Sequence, residues 1–130
     1  MLLIWTLGLT AVYMLLITNT GNVNTNYQLA VAANGLEGRV RCLAATGFDH
    51  PELRDAAPFD LVFANILKGP LIALAPDVAA CTRKDSKVIL SGILNGQADE
   101  IVTVYSRNGI NLLHRDEIGE WTTLTLEKAS

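Results

Sequence analysis

Positive charge is scarce in this sequence and unevenly placed. Ten Lys and Arg face thirteen Asp and Glu, a net charge of -3. No Lys or Arg precedes Arg39. A chain with no basic surplus lacks the footprint that holds a nucleic-acid backbone, so direct nucleic-acid binding is not expected. Cysteine is equally sparse. Cys42 and Cys81 are too few for a disulfide scaffold and stand at no metal-binding spacing from a histidine, which points to a reducing compartment. Phosphate loops of the G-x-x-x-x-G-K-[ST] type, dinucleotide loops of the G-x-G-x-x-G type and the G-x-S-x-G nucleophile elbow are all absent. What the sequence does have is apolar bulk. Hydrophobic residues make up 50% of the 130, and charged residues only 18%. That balance excludes intrinsic disorder and suits one domain with a single core.

Residues 1–17 (MLLIWTLGLTAVYMLLI) carry no charge. A membrane span wants about 20 apolar residues, and this run falls just short. It also lacks the basic flank of a signal peptide or of a positive-inside anchor. One or two buried elements of a parallel sheet read the same way, because parallel strands are continuous apolar runs. A membrane-anchored module is the competing reading. The turn-rich stretch at residues 18–26 (TNTGNVNTN) then reads as a loop.

Beyond it, the pattern alternates. A helix is expected from Asn24 to Ala33, closed by Asn34-Gly35. A short strand follows at residues 39–44, then a loop at 46–58 with one helical turn near Pro51. The run DLVFANI at 60–66 has the length and content of a central parallel strand. Pro70 suits the first position of a helix to about Thr82, with Leu71, Leu74, Val78 and Cys81 on one stripe. Pro76 should kink that helix or restart it. KVILS at 87–91 is another buried-type strand, followed by a helix over 96–108 with Ile101, Val104 and Tyr105 on one face and Gly109 as its stop. Strands at 110–114 and 121–126, with a polar segment between them, predict an antiparallel hairpin. The sum is one α/β domain with a mostly parallel sheet, covered on both faces.

In such a sheet, ligands bind beyond the carboxyl ends of the strands. Three ends qualify: Ala44 to Gly47, Ala64 to Leu67, and Ser91 to Ile93. Asn65 stands out as an amide closing an apolar strand. Its side chain both donates and accepts, which suits a ligand bearing an amine and a carboxylate. An Asn here can equally tie down its own loop through backbone groups. His50 and His114 are far apart and read as rim histidines. Asp49, Glu52 and Asp55 read as a solvated loop.

The stretch at 59–80 (FDLVFANILKGPLIALAPDVAA), the later KVILSGIL at 87–94 and the late Glu120-Trp121 together resemble the ribosomal protein L-eleven methyltransferases. The Ala33-Asn34-Gly35 helix end is also similar, and the likeness covers about residues 30–128. The resemblance implies an incomplete Rossmann-like methyltransferase sheet, mostly parallel, with a carboxyl-terminal antiparallel hairpin. It implies S-adenosyl-L-methionine as cofactor, Asn65 as a cofactor-binding residue near its methionine end, and a large-subunit ribosomal protein, methylated on amines, as partner in the cytoplasm. The loop after the 39–44 strand would lie near the adenine. Two family features are missing. No glycine-rich turn follows a first strand, and Thr18-Asn19-Thr20 stands where the family has an acidic segment that accepts ribose hydroxyls. The chain therefore reads as one partial methyltransferase domain over 1–130, with weak activity or as a non-catalytic remnant, and with an apolar amino terminus able to drive oligomerisation.

Overall fold

The computed structural model describes residues 2–5, 12–16, 32–35, 37–38 and 40–130. Two short strands open the chain, β1 (Leu2–Trp5) and β2 (Val12–Leu16). After β3 (Val40–Ala44) come α1 (Pro51–Ala56), β4 (Phe59–Asn65), α2 (Lys68–Cys81) and β5 (Thr82–Leu94). A 3-10 turn (Asn95–Gln97) leads into α3 (Ala98–Arg107), and β6 (Ile110–Ile118) and β7 (Trp121–Lys128) close the fold. All seven strands join one sheet in the order β3-β2-β1-β4-β5-β7-β6. The expected helix over 24–33 and the loop over 18–26 lie largely outside the described residues. Only its end is seen, helical at 32–33 with Gly35 in the left-handed region at φ 66°.

Residues 1–17 thus supply two strands, but not as a parallel pair. β1 runs antiparallel to both its neighbours, β2 and β4. A parallel crossover takes a dozen or more residues, and only residues 6–11 separate the two strands. β2 pairs parallel with β3, and β4 with β5. β7 is antiparallel to β5 and β6, so β1 and β7 are the two reversed strands. The sheet has seven strands and is the methyltransferase-like α/β sheet that the family likeness implies. What departs from a doubly wound sheet is the direction of β1.

The core sits where α2 and α3 meet β4, β5 and β7. Strand alternation sends Val62 and Ala64, Val88 and Leu90, and Leu124 and Leu126 to the buried side. Leu71, Leu74, Ala75 and Val78 come down from α2, and Ala98, Ile101 and Tyr105 from α3. Tyr105 is fully buried and donates its hydroxyl to Leu71 O at 3.0 Å, locking the two helices together. On the opposite face Leu61, Phe63 and Ile89 are half-buried.

Helix α2 begins at Lys68, two residues before Pro70, and continues through Pro76. It ends where Thr82 Oγ1 donates to Val78 O at 2.7 Å, and β5 starts at once. Ser86 anchors that junction by donating to Phe59 O at 2.7 Å while accepting from Arg83 N.

Candidate functional site

The carboxyl ends of β4 and β5 lie side by side, with Asn65 in register with Ser91. Ala64 is buried, so the next residue must face away from the core. Because the strand ends there, Asn65 stands exposed at the rim rather than on a covered face. The chain then turns through Ile66 and the exposed Leu67 into α2, whose first turn closes with Leu71 N donating to Leu67 O at 3.1 Å.

Gly92 in the neighbouring strand makes this arrangement possible. Its φ is +76°, and the β5–β7 register shifts between Leu90 and Ile93, a bulge. A Cβ at position 92 would lie 2.7 Å from Asn65 Oδ1 and 3.4 Å from Ile66 O. Both facts demand glycine. The two motifs singled out in the sequence, ANIL and LSGIL, are therefore halves of one contact. In the sequence, Ser91-Gly92 reads as a strand end and as part of the family-like LSGIL segment, with nothing that pairs it with Asn65. The available signal was a glycine interrupting an apolar strand, which marks a bulge or a close approach.

The third candidate end packs inward. Asp49 N donates to Thr46 O at 3.0 Å, Gly47 has φ +58°, and a Cβ there would meet Leu74 Cδ2 at 2.9 Å. His50 caps α1, its Nδ1 accepting from Glu52 N at 3.2 Å, and Asp49 pairs with Arg54. His114 is exposed and bonds Asp116 at 2.9 Å. The structure keeps the two histidines in these separate local roles.

The hairpin end adjoins the site on the β5 side. Leu94 pairs with Trp121, which also pairs with Ile118. These side chains are 42%, 56% and 82% exposed, an apolar ledge at the carboxyl end of the sheet. Asn95 ties the turn in place. Its N donates to Glu120 O and its Nδ2 to Gly119 O, both at 3.0 Å, and its Oδ1 accepts from Thr122 Oγ1 at 2.8 Å. Arg115 clasps the same end to α3, reaching Asp99 at 2.7 Å and Asn95 O at 3.2 Å. Its guanidinium is held above its ordinary pKa by the bond to Asp99 and by Glu117. A depression of about 330 Å³ lies here, lined by Leu94, Asn95, Gly96, Gly119 and Glu120 and not by Asn65.

The β4–β5 half of this crevice fits the amino-acid end of a cofactor through its chemistry: a donor–acceptor amide stands exposed at the strand end, set closely against the Gly92 bulge. The β1 side is different. Leu2 pairs with Ala64, so the amino end of β1, not its carboxyl end, adjoins Asn65. The carboxyl end of β1, from which a glycine-rich turn would leave, lies toward the other end of the sheet.

Strand order 3-2-1-4-5 with an antiparallel hairpin beyond it, and a polar strand end beside the point where the order reverses, define an α/β methyltransferase-type sheet. The chain belongs to the ribosomal protein L11 methyltransferase (PrmA) family, whose model matches residues 23–129. It is 41% identical over 88 residues to the ribosomal protein L11 methyltransferase of Brucella suis, covering 65% of this chain and 31% of that one. It spans about a third of the length of the curated relatives it matches. Among solved structures, the ribosomal protein L11 methylase of Lactobacillus delbrueckii subsp. bulgaricus superposes with a TM-score of 0.67 at 24% identity, over 91% of this chain and 58% of that chain. The 1,6-didemethyltoxoflavin-N1-methyltransferase of Burkholderia thailandensis, solved with S-adenosylhomocysteine, superposes with a TM-score of 0.66 at 12% identity, over 91% and 61%. These two likenesses concern the fold. Among the described residues, no helix is long and apolar enough to cross a membrane.

Proposed function

We propose that this chain carries the β4–β5 side of an S-adenosyl-L-methionine site and serves methyl transfer to an amine of a large-subunit ribosomal protein in the cytoplasm. The observation that carries the reading is the exposed Asn65 carboxamide at the strand end, framed by the Gly92 bulge. The cofactor supplies a methyl group on a sulfonium. Asn65 binds the amino-acid end, accepting from its ammonium and donating to its carboxylate. Transfer to an amine is an in-line displacement, so positioning dominates and no side-chain nucleophile is needed. An amine held against the apolar ledge of Leu94, Ile118 and Trp121 loses solvation, which lowers its pKa and favours the neutral nucleophile. Membership of the family supports the cofactor and the substrate class together.

Titration calorimetry with S-adenosyl-L-methionine tests the reading. The whole chain should give binding heat, and Asn65→Ala should weaken affinity about tenfold, the worth of one hydrogen bond to a charged group. The reversed β1 favours a second reading, a non-catalytic remnant that keeps the fold without the cofactor. Absence of heat at millimolar cofactor, from a chain with native circular dichroism, would establish the remnant instead.

A further inference from the structure

Two residues far apart in sequence meet at the bulge of β5. Gly92 has φ +76° and faces the Asn65 amide so closely that a Cβ would stand 2.7 Å from Oδ1. Nine in ten real Cβ contacts are longer than 3.4 Å, and contacts under 3.0 Å essentially never occur, so one partner would have to move. On one side lies backbone, since the same Cβ would also press on Ile66 O at 3.4 Å and Ile66 N at 3.6 Å. The mobile partner is the Asn65 side chain, whose terminal torsion is broad and soft. A side chain at position 92 would therefore swing the carboxamide away from its present direction rather than open the sheet.

We propose that Gly92 is a positioning residue: its missing side chain fixes the direction in which Asn65 presents its carboxamide at the ligand-bearing end of the sheet. The consequence for cofactor binding rests on the reading of Asn65 given above. Gly92 does not touch the cofactor in this scheme; it acts only through Asn65. The conformational preference of glycine is a separate effect, because alanine at positive φ is strained wherever it stands. Gly109 supplies the matched control. It has φ +75°, lies at the opposite end of the sheet, and a Cβ there meets only the flexible end of Lys128, at 3.4 Å.

The test combines a contact, a side-chain resonance and a thermodynamic cycle on the whole chain. In the unmodified protein, a nuclear Overhauser contact between the Gly92 Hα protons and the Asn65 side-chain amide protons is expected, and its absence overturns the proposal even where no variant folds. Gly92→Ala should shift the Asn65 side-chain amide resonances, and Gly109→Ala should not. Equal shifts in both, or none in either, overturn it. If the unmodified chain binds S-adenosyl-L-methionine, Gly92→Ala should weaken binding about tenfold, matching Asn65→Ala. In the Asn65→Ala background it should then cost nothing further. A full tenfold loss in that background overturns the proposal, because Gly92 would then act independently of the amide. If the unmodified chain binds no cofactor, the methyltransfer reading fails by itself, and the resonances alone decide whether Gly92 sets Asn65.

Discussion

At the scale of single residues, burial sets the chemistry that pH can reveal. Tyr105 is enclosed between α2 and α3, and its burial pushes the phenol pKa well above the ordinary 10.0. An unfolded chain releases that proton near the ordinary value, while the folded chain keeps it. The unfolded state then binds fewer protons, so stability falls as pH rises past the ordinary tyrosine range and is fully present below it. Tyr105→Phe should remove this alkaline loss and cost about 1 kcal/mol near neutrality, for the hydrogen bond to Leu71 O. Urea titrations of both proteins between neutral and alkaline pH would check the two effects. Cys81 behaves in the same sense. Burial and the nearby Asp77 charge raise its thiol pKa, so little thiolate forms at neutral pH. Its alkylation by iodoacetamide, followed by site-resolved mass spectrometry, should be slower in the folded protein than in the denatured one.

Elements show where local rules yield to packing. Pro76 lacks the N–H that would close a helical turn onto Ile72, yet α2 passes through it, with Leu71, Leu74, Ala75 and Val78 holding the helix to the sheet. The proline itself is exposed, so replacing it leaves the core intact. Pro76→Ala should raise the thermal midpoint, with a gain of about 1–3 kcal/mol from the restored bond and the better propensity. A smaller midpoint would show that the proline sets a bend the core depends on. β6 illustrates the opposite case. It runs on through Arg115 to Ile118, where a polar connection had been expected, and only Gly119 and Glu120 remain as a two-residue turn. This edge strand buries Ile110 and little else, so nothing in the sequence marks its continuation past His114. Its continuation is fixed by pairing with β7 and by the Arg115 clasp.

For the molecule as a whole, the sheet centre and its edges differ in how much covers them. β4, β5 and β7 lie under α2 and α3, and β6 is an exposed edge. Native-state hydrogen exchange should therefore be slowest at Val62, Val88, Leu90, Leu124 and Leu126, and much faster at those amides of the edge strand β6 that do not bond to β7. Uniform protection across the sheet would contradict this layering. The reversed β1 also acts at this scale. It completes the sheet between β2 and β4 and so covers the β4 edge, but it turns its amino end to the crevice. The strand order is kept while one strand beside the crevice runs in the opposite direction.

The sequence by itself determined the alternation of helices and strands, the central strand that ends at Asn65, the stripe of α2 and the closing hairpin. Each is written in local periodicity and in residues such as Gly109 that stop an element wherever they occur. It also marked the family, through short motifs in a fixed order. Only the tertiary structure decided that residues 1–17 form two strands with β1 reversed, that β6 reaches Ile118, and that Gly92 stands against Asn65. The physical reason is common to all three. Strand direction, edge pairing and a close approach across a bulge depend on partners distant in the chain, and a uniform apolar run or a solvated edge carries no pattern that names its partner.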